Sequence, residues 1–319
     1  MAASANKADA SGLSLGVYPP IIQITAAPPA DIITPITISN LSDQSITLNI
    51  GFKPFTASEK ENGEVSYLSG DQLSGADPLM FQRIQIRDDD GDDINTVSLA
   101  PYQQEKLNLH IGIPEDEPLS DYYFSIIFSS QADDLTTLDN NQSQNAAGIA
   151  TNVLLSIGQG ETKGNLVEFS APLFTEKGPI PFTVRVQNTG AHYITPQGTI
   201  TVVNMFGQTI GKIDLLPVNI LANTIRAIPD SLQSPDANPP ASVINEVNVL
   251  GPDSPKAIWP EIFILGPYKA TLSIALSPQG PLFKKTIYFI GFPIELLIII
   301  IVSTLIILLI RNRLKHHIS

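Results

Sequence analysis

The sequence contains no cysteine among its 319 residues. Disulfide frameworks, thiolate nucleophiles and cysteine metal ligands are therefore excluded, and each domain must be held together by its packed core. Nor does the sequence contain a P-loop, a G-x-G-x-x-G fingerprint or a G-x-S-x-G elbow, so the common nucleotide-binding and serine-hydrolase motifs are missing. The four histidines form no cluster spaced for a metal. We expect no enzymatic activity and no cofactor.

Basic residues are few relative to acidic ones. Lysine and arginine number 18 against 31 aspartates and glutamates, which gives a formal net charge of −13. An acidic surface is repelled by nucleic acid and by anionic lipid, so neither is an expected partner. In most proteins an acidic surface serves solubility, although it can also suit cationic partners.

One long apolar run stands near the end of the chain. Residues 288–310 read YFIGFPIELLIIIIVSTLIILLI and contain a single charge, Glu295. As a helix the run would be about 34 Å long, which is enough to cross the hydrocarbon core of a bilayer. Arg311, Arg313 and Lys315 follow in the short tail 311–319, and the positive-inside rule places that tail in the cytoplasm. The run predicts a single-pass transmembrane helix, with everything before it outside the cell membrane.

The first residues, 1–13, lack the apolar region of a signal peptide but are rich in small residues. We interpret them as a mobile tail or as the remnant of a signal peptide. An outside N-terminus together with an inside C-terminus requires such a signal, so we expect that one is missing from this sequence.

Between residues 14 and 287 short apolar runs alternate with Pro, Gly, Asn and Asp, and this pattern indicates many short strands with almost no helix. We predict an all-β ectodomain of two immunoglobulin-like β-sandwiches in tandem. The first covers 14–158, a Gly-rich polar linker covers 159–165, and the second covers 166–287. Pro19 and Pro20 interrupt the first strand, which is tolerable only at a sheet edge.

The two halves of the ectodomain resemble each other. Pro35-Ile-Thr-Ile-Ser-Asn40 in the first half matches Pro181-Phe-Thr-Val-Arg-Val-Gln-Asn188 in the second. Tyr122 and Tyr268 each lead a late strand. A tyrosine in that place is typical of the tyrosine corner of immunoglobulin-like sandwiches, in which the hydroxyl bonds to backbone a few residues upstream.

The densest polar cluster is the run 87–93, Arg-Asp-Asp-Asp-Gly-Asp-Asp. Carboxylates of Asp88, Asp90 and Asp92 could bind calcium through oxygen ligands. The spacing does not fit an EF-hand loop, and between two predicted strands the same residues are those preferred at a hairpin tip. A solvated turn is the favoured interpretation, and calcium is the alternative.

Three aromatic residues are candidates for stacking on sugar or peptide: Tyr67, Tyr102 and Trp259. Trp259 is the only tryptophan and lies in the Pro-flanked stretch Ala257-Ile-Trp-Pro260. Core packing is the favoured role of this residue, and ligand contact in an exposed loop is the alternative.

Several segments together resemble one family. They are SNLSDQSITLNI, TASEKENGEVSY and LAPYQQEKLNLHIGIPEDEPLSDYYFSIIF, followed by a second predicted sandwich, an apolar run and a basic tail. The sequence is similar to the WxL-interacting proteins of bacterial cell surfaces, most specifically at Asn62-Gly63, Tyr67, Pro101 and Pro114…Tyr122. It departs from them at Leu119-Ser120-Asp121, where the family usually has a glycine. The resemblance implies a first sandwich that binds peptidoglycan and a second that binds host or WxL partners.

Together these features predict a membrane-anchored bacterial cell-surface protein that binds peptidoglycan, another surface protein or both. The alternative is a structural stalk, or a subunit of a surface assembly, that has no ligand.

Overall fold

The computed structural model describes residues 14–69, 78–130, 148–231, 255–295 and 301–309. Within this part the chain divides into two compact units. The first comprises Met1–Ala57 and Val65–Gly160, and the second comprises Ser58–Glu64 and Glu161–Ser319. The predicted tail 1–13 lies outside the described residues. Each unit is built almost entirely from β-strands and has its own hydrophobic core.

The first unit is a sandwich of two sheets. One sheet has the order β1-β3-β8-β6, and the other has the order β2-β10-β9-β4-β5, with β7 paired to β4. One short helix, α1 (Pro78–Phe81), precedes β6. The strands are β1 (Leu15–Tyr18), β2 (Ile21–Ala26), β3 (Ala30–Asn40), β4 (Ile46–Ala57), β5 (Val65–Tyr67), β6 (Ile84–Arg87), β7 (Thr96–Leu99), β8 (Gln104–Ile113), β9 (Asp121–Ser129) and β10 (Gly148–Ile157).

The second unit repeats this plan. Its sheets have the orders β11-β13-β16, with β17 paired to β13, and β12-β19-β18-β14-β15. The strands are β11 (Gly164–Ser170), β12 (Phe174–Thr175), β13 (Ile180–Asn188), β14 (Gln197–Val203), β15 (Thr209–Asp214), β16 (Ile225–Ala227), β17 (Ala257–Trp259), β18 (Gly266–Ala275) and β19 (Leu282–Gly291).

Alternation of apolar and polar residues explains why these segments form half-buried strands. Side chains along a strand point to opposite faces, so every second residue enters the core. In β13 the burial follows this period of two from Ile180 to Asn188 without a break. The two-sandwich prediction is confirmed at the level of a mostly-β, immunoglobulin-like architecture.

The prolines near the N-terminus mark a change of sheet. β1 pairs antiparallel with β3 in one sheet, and β2 pairs parallel with β10 in the other. Pro19 and Pro20 lie between β1 and β2, and each of these two strands ends the order of its sheet. Proline cannot donate a ladder hydrogen bond, so an edge position is where it is tolerated.

A buried asparagine closes the third strand of the first unit. Asn40 is the last residue of β3, and its Nδ2 donates to the carbonyls of Gln44 at 2.7 Å and Ala100 at 2.9 Å. The Oδ1 accepts from the backbone N–H of Ser42 at 3.0 Å and from the Ser42 hydroxyl at 2.6 Å. One amide side chain therefore joins two loops.

The second unit contains the same arrangement. Asn188 is the last residue of β13, and its Nδ2 donates to the carbonyls of His192 at 2.8 Å, Ile220 at 3.0 Å and Leu221 at 3.1 Å. The Oδ1 accepts from the N–H of Gly190 at 2.8 Å. In both units the asparagine bonds the carbonyl four residues ahead and the N–H two residues ahead.

Two boundaries differ from those expected from sequence. β11 begins at Gly164, so Gly164 and Asn165 belong to the sandwich and not to the linker 159–165. Gly164 can enter the ladder because it packs against the Gln187 carbonyl, where a Cβ would lie only 2.4 Å away. A glycine expected to break structure is here required for close strand packing.

The C-terminal strand also runs further than expected. β19 extends to Gly291, so residues 288–291 of the predicted transmembrane run are strand residues. Phe289 pairs with Tyr268 and is buried in the core, and Gly291 pairs with Gly266. The Tyr-Phe-Ile-Gly sequence is apolar on both faces of the strand. The sequence pattern therefore does not distinguish the end of β19 from the apolar run that follows it.

Candidate functional site

The first unit carries two of the aromatic candidates. Tyr67 ends β5 and is partly exposed, and the Nζ of Lys53 lies 5.2 Å from the centroid of its ring. Tyr102 is 69% exposed in the turn between β7 and β8, with a positive φ of 58°. Both rings are available to solvent.

These two tyrosines do not form one site. Tyr67 pairs with Phe55 near the end of β4, whereas the N–H of Tyr102 donates to Ser42, which precedes the start of β4. The length of β4 between these points is roughly 30 Å at the usual rise of a strand. A single small ligand cannot contact both rings.

The Asp-rich run 87–93 forms a turn. Asp88 Oδ1 accepts from the backbone N–H of Asp90 at 3.1 Å and of Asp92 at 2.9 Å, and Gly91 has a φ of 89°. Arg87 Nε donates to Asp93 Oδ1 at 2.8 Å. Among the residues that the structure describes, no group of three His, Asp or Glu side chains is arranged to hold a metal ion. The run is thus a solvated turn closed by the Arg87–Asp93 bridge, but it is not the tip of a β6–β7 hairpin, because β6 and β7 belong to different sheets.

Trp259 lies in the core of the second unit. Its ring packs edge-on against Tyr268 at a centroid distance of 5.7 Å and against Phe289 at 6.2 Å. Tyr268 itself donates from its hydroxyl to the Leu265 carbonyl at 3.3 Å and accepts from the Leu265 N–H at 2.8 Å. The predicted tyrosine corner is therefore confirmed in this unit, and it positions the aromatic cluster.

In the first unit the corresponding tyrosine bonds to a side chain. The Tyr122 hydroxyl donates to Glu117 Oε1 at 2.6 Å. Glu117 is buried and also forms an ion pair with Arg83. The predicted likeness of Tyr122 and Tyr268 thus holds in position, while the bonded partner differs.

One edge of the Trp259 ring reaches the surface strand β15. A Cβ placed on Gly211 would lie 2.5 Å from Trp259 Nε1, so only glycine lets the indole approach the backbone of this strand so closely. β15 is the last strand in its sheet within the described part of the chain. The indole therefore lies directly beneath a sheet edge.

An open groove of about 470 Å³ follows this edge, lined by residues 210–212 and 259–262. Lys212 and Glu261 bring one charge of each sign to it, and Ile210 and Ile262 bring exposed apolar surface. The Lys212 Nζ lies 3.2 Å from Asp214 Oδ1, but both side chains are largely exposed, and such surface pairs exchange partners readily. The groove combines a strand edge, an aromatic floor and two charges.

The sequence indicated only Trp259 among these groove residues. β15 and β17 lie far apart in the sequence, with β16 between them, and their contact is made by tertiary packing that no local pattern encodes. Gly211 is the signal that the sequence offers, because it lies inside β15 and a glycine inside a strand often marks a close approach of another group.

The residues that flank the predicted membrane run are only partly described. Glu295 is exposed in the short helical stretch 294–295, and residues 301–309 are helical. Arg311, Arg313 and Lys315 lie outside the described residues. Within the described part of the chain, no helix has both the length and the apolar character needed to span a membrane.

No protein-family model matches this sequence, and no curated protein sequence is detectably similar to it. Solved structures of fimbrial chaperones have a similar arrangement of strands. The class 5 fimbriae chaperone CfaA has a TM-score of 0.37 at 11% identity, covering 88% of this chain and 100% of its own. The Escherichia coli chaperone DraB has a TM-score of 0.34 at 11% identity, covering 86% and 98%.

The Pseudomonas aeruginosa chaperone CupB2 is similar at a TM-score of 0.33 and 7% identity, covering 84% of this chain and 97% of its own. Likeness at these scores and identities is a description of strand arrangement and assigns no activity.

Proposed function

We propose that the protein is a non-catalytic cell-surface binding protein, held at the membrane by the apolar segment after β19, and that the groove beside β15 binds an extended polypeptide of another surface protein. The observation that supports this is the groove itself, since a sheet edge lies open next to a tryptophan floor. The membrane placement and the absence of catalysis are drawn from the sequence.

An extended peptide fits such an edge through main-chain hydrogen bonds. Peptides that add a strand to a sheet gain affinity from the backbone and specificity from pockets that receive alternate side chains. Here the pocket floor is Trp259, and the charged positions are Lys212 and Glu261. The ligand we expect has an apolar residue over the indole and charged residues placed to meet these two side chains.

The test is a selection of phage-displayed random peptides on the full-length protein in lipid nanodiscs. Enriched peptides should be rich in β-forming residues. Their binding should weaken in Lys212→Glu and in Glu261→Lys, because either reversal places like charges across the groove. The matched control is Lys284→Glu, the same charge change at an exposed position of β19 away from the groove. Binding to that control should equal wild type.

Fluorescence gives an independent readout of the same site. Trp259 is the only tryptophan, so its emission should change when a selected peptide fills the groove. Peptides that bind the Lys212→Glu protein as tightly as wild type would overturn the groove assignment.

Co-sedimentation of the full-length protein with purified cell-wall sacculi tests the peptidoglycan prediction separately. Tyr67→Ala and Tyr102→Ala are the variants for that assay. If the wild-type protein stays in solution across a range of salt concentrations, wall binding is wrong. If it also selects no peptide, the protein is a spacer.

A further inference from the structure

Large apolar side chains are exposed at one end of the second unit. Phe206 is 77% exposed at the tip of the β14–β15 hairpin, and Leu173 is 76% exposed just before β12. We name the apolar rim by five residues, all of them exposed: Leu173, Phe174, Phe206, Phe263 and Ile290. Exposed apolar side chains are common singly, but several together indicate an interaction surface.

The strand registers place these residues at the same end of the unit. Phe174 pairs with Ile290, and the N–H of Ile290 donates to the Leu173 carbonyl at 2.9 Å. Val203, the last residue of β14, lies just before the turn that carries Phe206. It pairs with Lys269, which lies three residues after Gly266. These contacts bring β12, the β14–β15 turn and the end of β19 together.

The loop before β18 joins the same group. A Cβ on Gly266 would lie 2.4 Å from Met205 Cε, so the β14–β15 turn touches the start of β18. The N–H of Gly178 donates to the Ile262 carbonyl at 2.9 Å, which ties the 260–265 loop to the segment after β12. The rim is therefore one continuous feature of the unit.

The chain leaves the second unit in the middle of this rim. β19 ends at Gly291, and the N–H of Phe292 donates to the Thr175 carbonyl at 3.0 Å. From Phe292 onward the sequence is apolar to Ile310 apart from Glu295, Ser303 and Thr304. The apolar side chains thus surround the point from which the hydrophobic segment starts.

The far end of the same sheet has a different character. There the β18–β19 loop reads Ser277-Pro-Gln-Gly280, and β14 begins at the exposed Gln197. One end of the unit is apolar and continues into the hydrophobic segment, and the other is largely polar, although Leu282 is an exposed exception. Such polarity along one axis is expected of a unit that rests on a surface of low polarity.

We propose that the apolar rim inserts into the interfacial region of the lipid bilayer, so that the second unit lies directly on the membrane. This inference rests on the membrane anchor proposed above. Apolar and aromatic side chains at interfaces bury several ångströms into the boundary between headgroups and acyl chains. Rim neighbours of both signs, Glu176, Lys177 and Glu261, give no net positive charge, so neutral lipid suffices as the partner.

Insertion also explains why these side chains remain outside the core. Each exposed large apolar side chain loses about 1.5–3 kcal/mol relative to a buried one. A membrane that receives Phe174, Phe206 and Phe263 together recovers part of that loss and restricts the tilt of the unit on its anchor.

The absence of cysteine makes a direct test possible, because a single introduced cysteine is labelled at one place. The full-length protein carrying Phe206→Cys, Leu282→Cys or Leu305→Cys is labelled with a nitrobenzoxadiazole dye and reconstituted in phosphatidylcholine vesicles. Leu282 is the matched control, since it is 67% exposed on β19 at the opposite end of the strand. Leu305 lies in the helical residues 301–309 and reports on the anchor.

The dye at position 206 should emit at shorter wavelength than the dye at 282 and lose intensity to doxyl-labelled lipid. The dye at 282 should do neither. Quenching at 305 without quenching at 206 would overturn the rim proposal and keep the anchor. If doxyl-labelled lipid does not quench the dye at position 305, the anchor proposal itself is wrong.

A partner protein on the rim is the remaining occupant, and the same labels detect it. If the emission at 206 shifts with protein concentration at a fixed amount of lipid, and doxyl lipid does not quench it, the rim binds a second copy and the membrane proposal is wrong.

Discussion

At the scale of single residues, the side-chain amide of Asn188 closes the second unit in a way that few other side chains can. It donates to three backbone carbonyls and accepts from one N–H, all of them in loops that connect the two sheets. Only an amide carries a donor and an acceptor on the same short, planar group. Serine or aspartate of similar size cannot satisfy all four partners.

Asn188→Asp should therefore destabilise the second unit severely. The substitution keeps the shape and removes the two N–H donors, leaving buried carbonyls opposite a carboxylate. The expected loss in the free energy of unfolding is at least about 3 kcal/mol, because unsatisfied buried groups cost about 1–3 kcal/mol each and charged ones more. Denaturant unfolding followed by Trp259 fluorescence measures it, since that residue lies in the same unit.

The control is Asn204→Asp, at a half-buried asparagine in the β14–β15 turn. There the Oδ1 accepts from the N–H of Phe206 and of Gln208, both at 3.0 Å, and aspartate preserves these bonds. We expect a change within about 0.5 kcal/mol. Equal effects of the two substitutions would show that the buried amide is not what holds the loops.

The sequence comparison identified the position of Asn188 but not its role. The match of Pro35…Asn40 to Pro181…Asn188 can be found in the sequence alone. The structure shows that each segment ends in an asparagine with an equivalent set of hydrogen bonds. The partners at Ala100 and Leu221 lie far along the chain, so no local pattern could identify them. Trp259 behaves similarly, since burial was the favoured interpretation, whereas its contact with Gly211 depends on the packing of β15 against β17.

At the scale of elements, three segments of the first unit meet at Glu117. The loop between β8 and β9 carries this residue, Arg83 precedes β6, and Tyr122 lies near the start of β9. The Glu117 side chain is buried while that of Arg83 is one-third exposed. A buried carboxylate needs charged or hydrogen-bonding partners, and here it has one of each.

Glu117→Gln should destabilise the first unit by about 1–3 kcal/mol, because the neutral amide places its N–H₂ donors toward the guanidinium or the phenol. The partial exposure of Arg83 keeps the loss below that of a fully buried pair. Hydrogen exchange of amides in β6 and β9 should increase in the variant. Glu115→Gln, the same change at an exposed position two residues earlier, should leave both strands as protected as in wild type.

The elements also show where sequence patterns succeed. Strands such as β13 and β8 alternate cleanly because one face is buried and the other is not, and they were evident. The end of β19 was not, since Ile287, Phe289 and Ile290 are apolar on both faces and merge into the run that follows. Where both faces of a strand are apolar, the period of two disappears and the boundary between strand and span cannot be placed.

At the scale of the whole molecule, the second unit and the segment that follows it form one continuous piece of chain. β19 is a central strand of the second sheet, between β12 and β18, and it ends directly before the apolar segment. With the proposed anchor and the proposed insertion of the rim, the groove beside β15 would lie near the membrane.

The anchor prediction is decided by charge placed inside the segment. Leu305→Arg together with Ile306→Arg puts two guanidinium groups in the apolar run, and each costs about 2.5–3.5 kcal/mol at the centre of a membrane helix. Purified full-length protein is mixed with phosphatidylcholine vesicles, the detergent is removed, and the vesicles are floated through a density gradient and washed at alkaline pH. The wild-type protein should stay with the lipid, and the double variant should be washed away.

Leu282→Arg, an arginine on the exposed face of β19, should float as wild type does. Because the protein is acidic overall, raising the salt concentration should not release it, since no electrostatic attraction to the lipid is involved. Recovery of the wild-type protein away from the lipid would refute the span. Retention of the double variant at alkaline pH would show that a different part of the chain holds the membrane.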